Sequence, residues 1–313
     1  MENIKVGRKN NYIFDCFWEI KIINRNNLTF NPFRYRNLLI ILFTILGFQI
    51  FAQEIKVMSY NIRLDVKSDG ENWWENRKNR VSDLMNYYEA DFIGCQEVLF
   101  HQLQFLQNEL NSYEYIGVGR DDGKTAGEFS CIFYQKNKYK LLHQETLWLS
   151  PTPDSVSFGW GAACRRVCTY GLFQLKSNNK KVLVFNTHLD HISEQARQES
   201  VKLIAEKANQ ISQKHHYPII IMGDFNSKLD EIPAKWMSEK FNNTRTVCES
   251  KPYGDSDTWN GFQFDKKPQG CIDYIFVSKD DQWSIKKFAT ITDSYQMKYP
   301  SDHFPILATL YYK

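Results

Sequence analysis

Six places in this chain offer side chains able to do chemistry, and each stands at the end of an apolar run. They are Asn61, Glu97, His188 with Asp190, Asp224 with Asn226, Asp273, and Asp302 with His303. Taken singly, each has a plain reading, because an Asp after a strand is usually a turn former or cap and a lone His is usually structural. Taken together they are carboxylates, amides and two imidazoles, a set that suits a hard divalent cation and a phosphate. Oxygen donors without a thiolate favour Mg²⁺, with Mn²⁺ as a substitute. No His-x-x-x-His or equivalent spacing is present, which argues against a zinc hydrolase.

The elements that must position these residues are legible from periodicity. The stretch Tyr217–Asn226 reads Y-P-I-I-I-M-G-D-F-N. Ile219 to Met222 have the branching and length of a strand buried on both faces, and Gly223 then permits the turn that presents Asp224 and Asn226. A first strand over Glu54–Ile62 ends at Asn61, and another over Asp91–Gln96 delivers Glu97. Strands are also expected over Tyr113–Val118, Glu128–Tyr134, Tyr139–Leu149, Arg165–Leu175, Lys181–Asn186, Ile272–Val277, Trp283–Ile291 and Phe304–Tyr311. Helical spacing marks Glu75–Tyr88, His101–Leu110, a helix capped by Ser193 and running to about Gln213, and a short one over Ile232–Phe241. Gly119–Gly127 is glycine-rich but lacks the phosphate-loop spacing, so it reads as a hairpin loop. Cys248–Gly270 reads as a long polar loop. The order is no strict βαβ alternation, so two packed mixed sheets with helices outside fit better than a doubly wound sheet.

The 313 residues are 42% hydrophobic and 15% aromatic, enough for a large core. The net charge of +3 is uneven. Residues 1–52 hold seven of the 39 Lys/Arg and three of the 36 Asp/Glu, which leaves residues 53–313 at 32 basic against 33 acidic. A near-neutral body has no footprint for tight, non-specific nucleic-acid binding. Leu38–Phe48 is a short apolar run after Arg34 and Arg36 and before Ala52, the pattern of a secretory signal. The expectation is export to the periplasm or outside the cell, with cleavage near Ala52. An uncleaved N-terminal anchor is the alternative, although the run is short for a membrane span. Residues 1–33 make a long leader for such a signal, which points to a true start further along. Residues 1–52 are therefore set apart from a single catalytic domain over 53–313. Exported, the six cysteines beyond Cys16 could pair, but Cys95, Cys131 and Cys271 sit in apolar runs where a free thiol behaves as a small hydrophobe.

The strings M-S-Y-N-I-R, G-C-Q-E-V, N-T-H-L-D, G-D-F-N, I-D-Y-I-F and S-D-H-F-P occur in this order between about Ile55 and Tyr311. They resemble the endonuclease/exonuclease/phosphatase superfamily. The resemblance implies a four-layered α/β sandwich that cleaves phosphoesters with a divalent metal. It implies Glu97 as the principal Mg²⁺ ligand, with Asn61 beside it and Asp302 facing the metal. Asp224 would orient or deprotonate the attacking water, Asn226 would hold the phosphate, and His188 would donate to its oxygens. His303 would pair with Asp273, and either Asp224 or His303 would be the base. Some relatives place a phosphate-orienting Tyr where this chain has Tyr134. Arg165 and Arg166 could also bind phosphate, and Trp73, Trp74, Trp160 and Trp259 could rim the site.

The resulting expectation is a monomeric, metal-dependent phosphoesterase acting on a phosphodiester or phosphomonoester. The neutral body and the lack of an apolar hairpin for membrane insertion place a small phosphorylated molecule or a short nucleic acid ahead of duplex DNA or a lipid. A non-catalytic binding module with the same fold would show gaps at the metal and base positions, and none is seen.

Overall fold

Strand β8, Ile219–Asp224, is buried along its whole length. Ile219 and Ile221 pack against helices, while Ile220 and Met222 pack into the space between two sheets. That division explains the unbroken apolar run: a strand in a middle layer has no face left for water. The computed structural model describes residues 53–313, and the expected signal, leader and cleavage point lie outside them. Among the described residues no helix is long and apolar enough to cross a membrane.

The first sheet holds β1 (Gln53–Asn61), β2 (Phe92–Val98), β3 (Tyr113–Ile116), β4 (Phe129–Gln135), β11 (Trp283–Thr290) and β12 (Ile306–Tyr312), in the order β11-β12-β1-β2-β4-β3. The second holds β5 (Tyr139–Trp148), β6 (Val167–Leu175), β7 (Lys181–His188), β8, β9 (Asn242–Asn243) and β10 (Asp273–Val277), in the order β5-β6-β7-β8-β10-β9. Each sheet has one parallel pair at its centre, β1 with β2 and β7 with β8, and antiparallel neighbours elsewhere. Both sheets are therefore mixed, as expected.

Residues such as Val57, Phe92, Phe173, Val184, Ile220 and Ile275 fill the space between the sheets. Helices α1 (Trp74–Tyr88) and α2 (Phe100–Glu109) cover the outer face of the first sheet through Val81, Leu84, Met85, Leu103 and Leu106. Helices α3 (Glu194–Gln213) and α4 (Ile232–Lys240) cover the second through Val201, Ile204, Ala208 and Met237. The result is a four-layered α/β sandwich. Ser193 caps α3 as its residue type predicts, its hydroxyl accepting from the Ala196 N–H at 3.1 Å.

Some local expectations are corrected. Trp74 is the buried first residue of α1 and not a loop residue at the rim. Strand β7 runs on through His188, and the last strand begins at Ile306 rather than Phe304. The two-residue β9 and the short α5 (Thr244–Val247) carry no clear pattern and arise from tertiary contact with β10. The 119–127 segment does join the antiparallel neighbours β3 and β4 as a hairpin. All six described cysteines are free.

A buried polar knot ties the sheets together below the strand ends. Asn186 of β7 donates across the interface to the Cys95 carbonyl at 2.9 Å and the Cys131 carbonyl at 2.8 Å, and its own Oδ1 accepts from Gln96 at 2.7 Å. Gly94 makes room for it, since a Cβ there would lie 2.6 Å from the Asn186 Oδ1. Buried amides that lose such partners are costly, so the knot holds β2 and β7 in one relative register. The residues just beyond it, Glu97 and His188, consequently meet at one edge of the sandwich.

Candidate active site

The C-terminal ends of both parallel pairs open on the same edge. They supply Asn61, Glu97, His188 and Asp224, while the antiparallel β10 brings Asp273 opposite Asp224. Asp302 and His303 enter from the segment before β12. A cleft of 380 Å³ lies there, lined by Glu97, His188, Asp224, Asn226, Asp302 and His303 among others.

Asn61 is the hinge of the arrangement. Its Nδ2 donates to Glu97 Oε1 and to Asp224 Oδ2, both at 3.0 Å, so one amide joins a carboxylate from each sheet. Glu97 sits at φ 62° where the β2–β4 ladder slips register between Cys95 and Val98. This bulge re-aims its side chain, and a left-handed glutamate is unusual enough to suggest that the site requires it. Leu64 N–H donates to Glu97 Oε2 at 3.1 Å. Arg63 lies 3.9 Å from both Glu97 and Asp302.

Asp224 accepts from the Asn226 N–H at 2.9 Å. Burial and the charge of Asp273 push its pKa up to about 7, against the pull of His303 and these donors. His303 Nδ1 lies 3.0 Å from Asp273 Oδ2 and donates to it, since an ionised carboxylate only accepts. Its Nε2 lies 3.8 Å from Asp224. Burial would lower the His303 pKa, but the charges of Asp273 and Asp224 overcome it and hold it well above the usual range. His188 is the opposite case. Burial, with the charges of Arg166, Arg120 and His303, holds its pKa well below the usual range. It is a neutral imidazole whose Nε2 lies 3.0 Å from the Asn226 amide nitrogen and accepts from it. Of the two rings, His303 is the one whose surroundings favour the protonated form.

Two expected residues fall outside. Tyr134 is buried in the core between the sheets and donates to Glu114 at 2.7 Å. Antiparallel pairing sets it opposite Phe92, at the start of β2, whereas Glu97 stands near the end. Five residues of strand separate the two levels, about 16 Å. Arg165 turns away to Asp121 at 3.3 Å, with its guanidinium over the Phe158 ring. Its neighbour Arg166 lines the cleft, 3.6 Å from Asp190 and 2.8 Å from His191. Asp190 itself is structural, accepting from the Ala163, Ile192 and Ser193 N–H groups.

Sequence reasoning missed Arg63, Arg120, Glu128 and His191, which also line the cleft. Arg120 is paired with Glu128 at 2.7 Å, and Glu128 Oε2 is 3.9 Å from His188. Arg63 stands in the M-S-Y-N-I-R string and could have been read. Arg120 could not, because only the β3–β4 hairpin carries it over the strand ends.

The donor set fits a hard cation. Glu97 and Asp302 flank the same Arg63, and burial together with the Glu97 charge raises the Asp302 pKa despite the opposing charge of His303. A divalent ion would relieve that repulsion. Asp224, Asp273 and His303 also place ligand atoms within 4.8 Å of one another. There the His303 Nδ1 proton is already committed to Asp273, so that ring nitrogen has no lone pair for a metal.

A four-layered sandwich with carboxylates, imidazoles and guanidiniums gathered at its strand ends defines the class, a phosphoesterase fold. The chain belongs to the Endonuclease/Exonuclease/phosphatase family, whose model matches residues 58–303. A solved mannosyl-6-phosphatase of Bacteroides thetaiotaomicron superposes with a TM-score of 0.79 at 34% identity, over 82% of this chain and 100% of that one. An uncharacterised protein of Acanthamoeba polyphaga mimivirus is 29% identical over 257 residues, 75% of this chain and 91% of the relative. The Candida albicans exoribonuclease subunit Ccr4 is 22% identical over 296 residues, 75% of this chain, and the chain spans only 37% of its length.

Proposed function

We propose that the protein is a divalent-metal-dependent phosphoesterase that hydrolyses a small phosphoester by attack of water. The convergence of four of the six positions on one 380 Å³ cleft, with Asn61 and Asp273 hydrogen-bonded to side chains that line it, carries this reading. Glu97, Asn61 and Asp302 would hold the ion, Mg²⁺ or in its place Mn²⁺. When bound, it supplies positive charge where phosphoryl oxygens gain negative charge. The charges of Asp273 and Asp224 raise the His303 pKa and favour the form without a free lone pair. Asp224 therefore takes the proton of the attacking water, and Asp273 fixes the His303 ring. Asn226, whose amide hydrogens go to His188 Nε2 and the Leu189 carbonyl, fixes the His188 ring at the cleft, and Arg166 and Arg120 add positive charge at its wall.

The cleft is a compact hollow, which supports a small phosphorylated molecule. The solved mannosyl-6-phosphatase is a phosphatase by name, which makes sugar phosphates the first substrates to test. The apolar run after Arg34 and Arg36 supports export, and sequencing the mature N-terminus from fractionated cells checks it.

The decisive experiment is a panel of sugar phosphates, inositol phosphates, sphingomyelin, RNA, DNA and bis-p-nitrophenyl phosphate, with Mg²⁺ and with EDTA. Asp224→Ala and His303→Ala serve as controls. Hydrolysis that survives EDTA, or that both variants retain at wild-type rates, refutes the reading.

A further inference from the structure

Trp259 is a large aromatic left 39% exposed at the cleft. It is not loose. The segment around it is bridged on one side to His303 and on the other to Gln269. Asn260 and Gly261 N–H groups donate to the Asp302 carbonyl at 2.8 and 3.0 Å, and Phe304 N–H donates to the Thr258 carbonyl at 2.7 Å. The ring is thus mounted on the backbone that carries Asp302 and His303. Gly261, at φ 56°, packs under it, and a Cβ there would come within 3.2 Å of the indole.

A second hollow of 290 Å³ adjoins this residue, lined by Trp259, Asn260, Gln263, Lys266, Lys267 and Gln269. Apart from the indole, its lining side chains are amides and ammonium groups. Neither lysine makes an ion pair among the described residues. A lipid chain would need apolar walls, and a base held by sandwich stacking would need a second aromatic. One flat apolar face with hydrogen-bonding side chains around it matches a ring with a C–H face and a hydroxylated edge.

We propose that Trp259 and this hollow form the leaving-group subsite, and that the group bound there is the sugar ring of a sugar phosphate. The ring stacks on the indole, and its hydroxyls meet Gln263, Gln269 and the two lysines. Its phosphate meanwhile reaches the cleft that Trp259 shares. The inference rests on the phosphoesterase reading above.

The test measures kcat/KM with Mg²⁺ for a hexose 6-phosphate, for glycerol 3-phosphate, which has no ring, and for adenosine 5′-monophosphate. Wild type is compared with Trp259→Ala, Trp259→Phe and the pair Gln263→Ala/Gln269→Ala. Thermal unfolding midpoints confirm that each variant folds. The expected result is an about tenfold fall in the hexose-to-glycerol ratio for Trp259→Ala, expressed in KM. Trp259→Phe recovers most of it, and the double glutamine variant lowers hexose turnover at least threefold. An unchanged ratio in both the Trp259→Ala and the glutamine variants overturns the subsite. So does a wild-type preference for the nucleotide over the hexose phosphate that Trp259→Ala abolishes. In both cases the phosphoesterase reading still stands. A wild type inactive on every phosphoester fails that reading itself, and the subsite with it.

Discussion

Replacing His188 by Gln tests whether a neutral, buried imidazole stands beside the candidate base. Gln keeps an acceptor near the position of Nε2, which lies 3.0 Å from the Asn226 amide nitrogen, and removes the titrating ring. His188 faces Arg120, Arg166, His191 and His303 as cationic or titratable groups, and Glu128 and Asp224 as carboxylates. Burial and the cations hold its folded pKa well below the usual value. In the unfolded chain the ring titrates near 6.5. Above about pH 6.5 both states are neutral and the group contributes no pH dependence. Below it the unfolded chain takes up a proton that the folded protein refuses, so folding stability falls as pH falls. One proton corresponds to about 1.4 kcal/mol per pH unit. Between pH 6.5 and 5.0 wild type should therefore lose more stability than His188→Gln, by at most about 2 kcal/mol. Urea unfolding at pH 8.0, 7.0, 6.0, 5.5 and 5.0 reads this difference, and the contribution of His303 is common to both proteins. Parallel stability curves would show that His188 is charged or freely solvated, and its assigned role would fall.

Glu97→Gln should lose the stabilisation that Mg²⁺ gives wild type in a thermal shift assay, together with on the order of a hundredfold or more in rate. An equal Mg²⁺-dependent rise in both proteins would place the ion elsewhere. Asp273→Asn removes the charge 3.0 Å from His303 Nδ1. It should lower kcat on the order of a hundredfold with little change in KM, and a loss confined to KM would contradict the orienting role. Gly223→Ala puts a Cβ 2.1 Å from the Thr187 carbonyl oxygen, at φ 151°, between the parallel strands β7 and β8. It should cost about 1–3 kcal/mol in urea unfolding, and wild-type stability would show that the strands part freely.

Much of the site was written locally. Asn61, Glu97, Asp224 and Asp302–His303 each end or border an apolar run, and strand ends are set by short-range pattern. Ile219–Met222 announced a strand buried on both faces, and Ser193 announced a helix start. Residues whose role depends on pairing were less legible. Arg165 and Arg166 are adjacent in sequence, yet only Arg166 reaches the cleft, because neighbouring residues entering β6 face opposite ways and nothing local says which way is inward. Tyr134 ends its strand as Glu97 nearly ends its own, but β4 runs antiparallel to β2, so the two ends lie at opposite edges.

The sequence by itself determined the layers and the kit of acids, amides and imidazoles, since periodicity and residue type are local properties. The tertiary structure alone decided which ends meet. It set the charge state of each imidazole, because His188 and His303 differ only in the cations and carboxylates that surround them. It also carried Arg120 to the cleft from a loop with no signal of its own, and chose Trp259 among the loop tryptophans that could have rimmed it. Such contacts depend on distant residues of both sheets being locked in register, here by Asn186 and Gln96, and no local pattern encodes that.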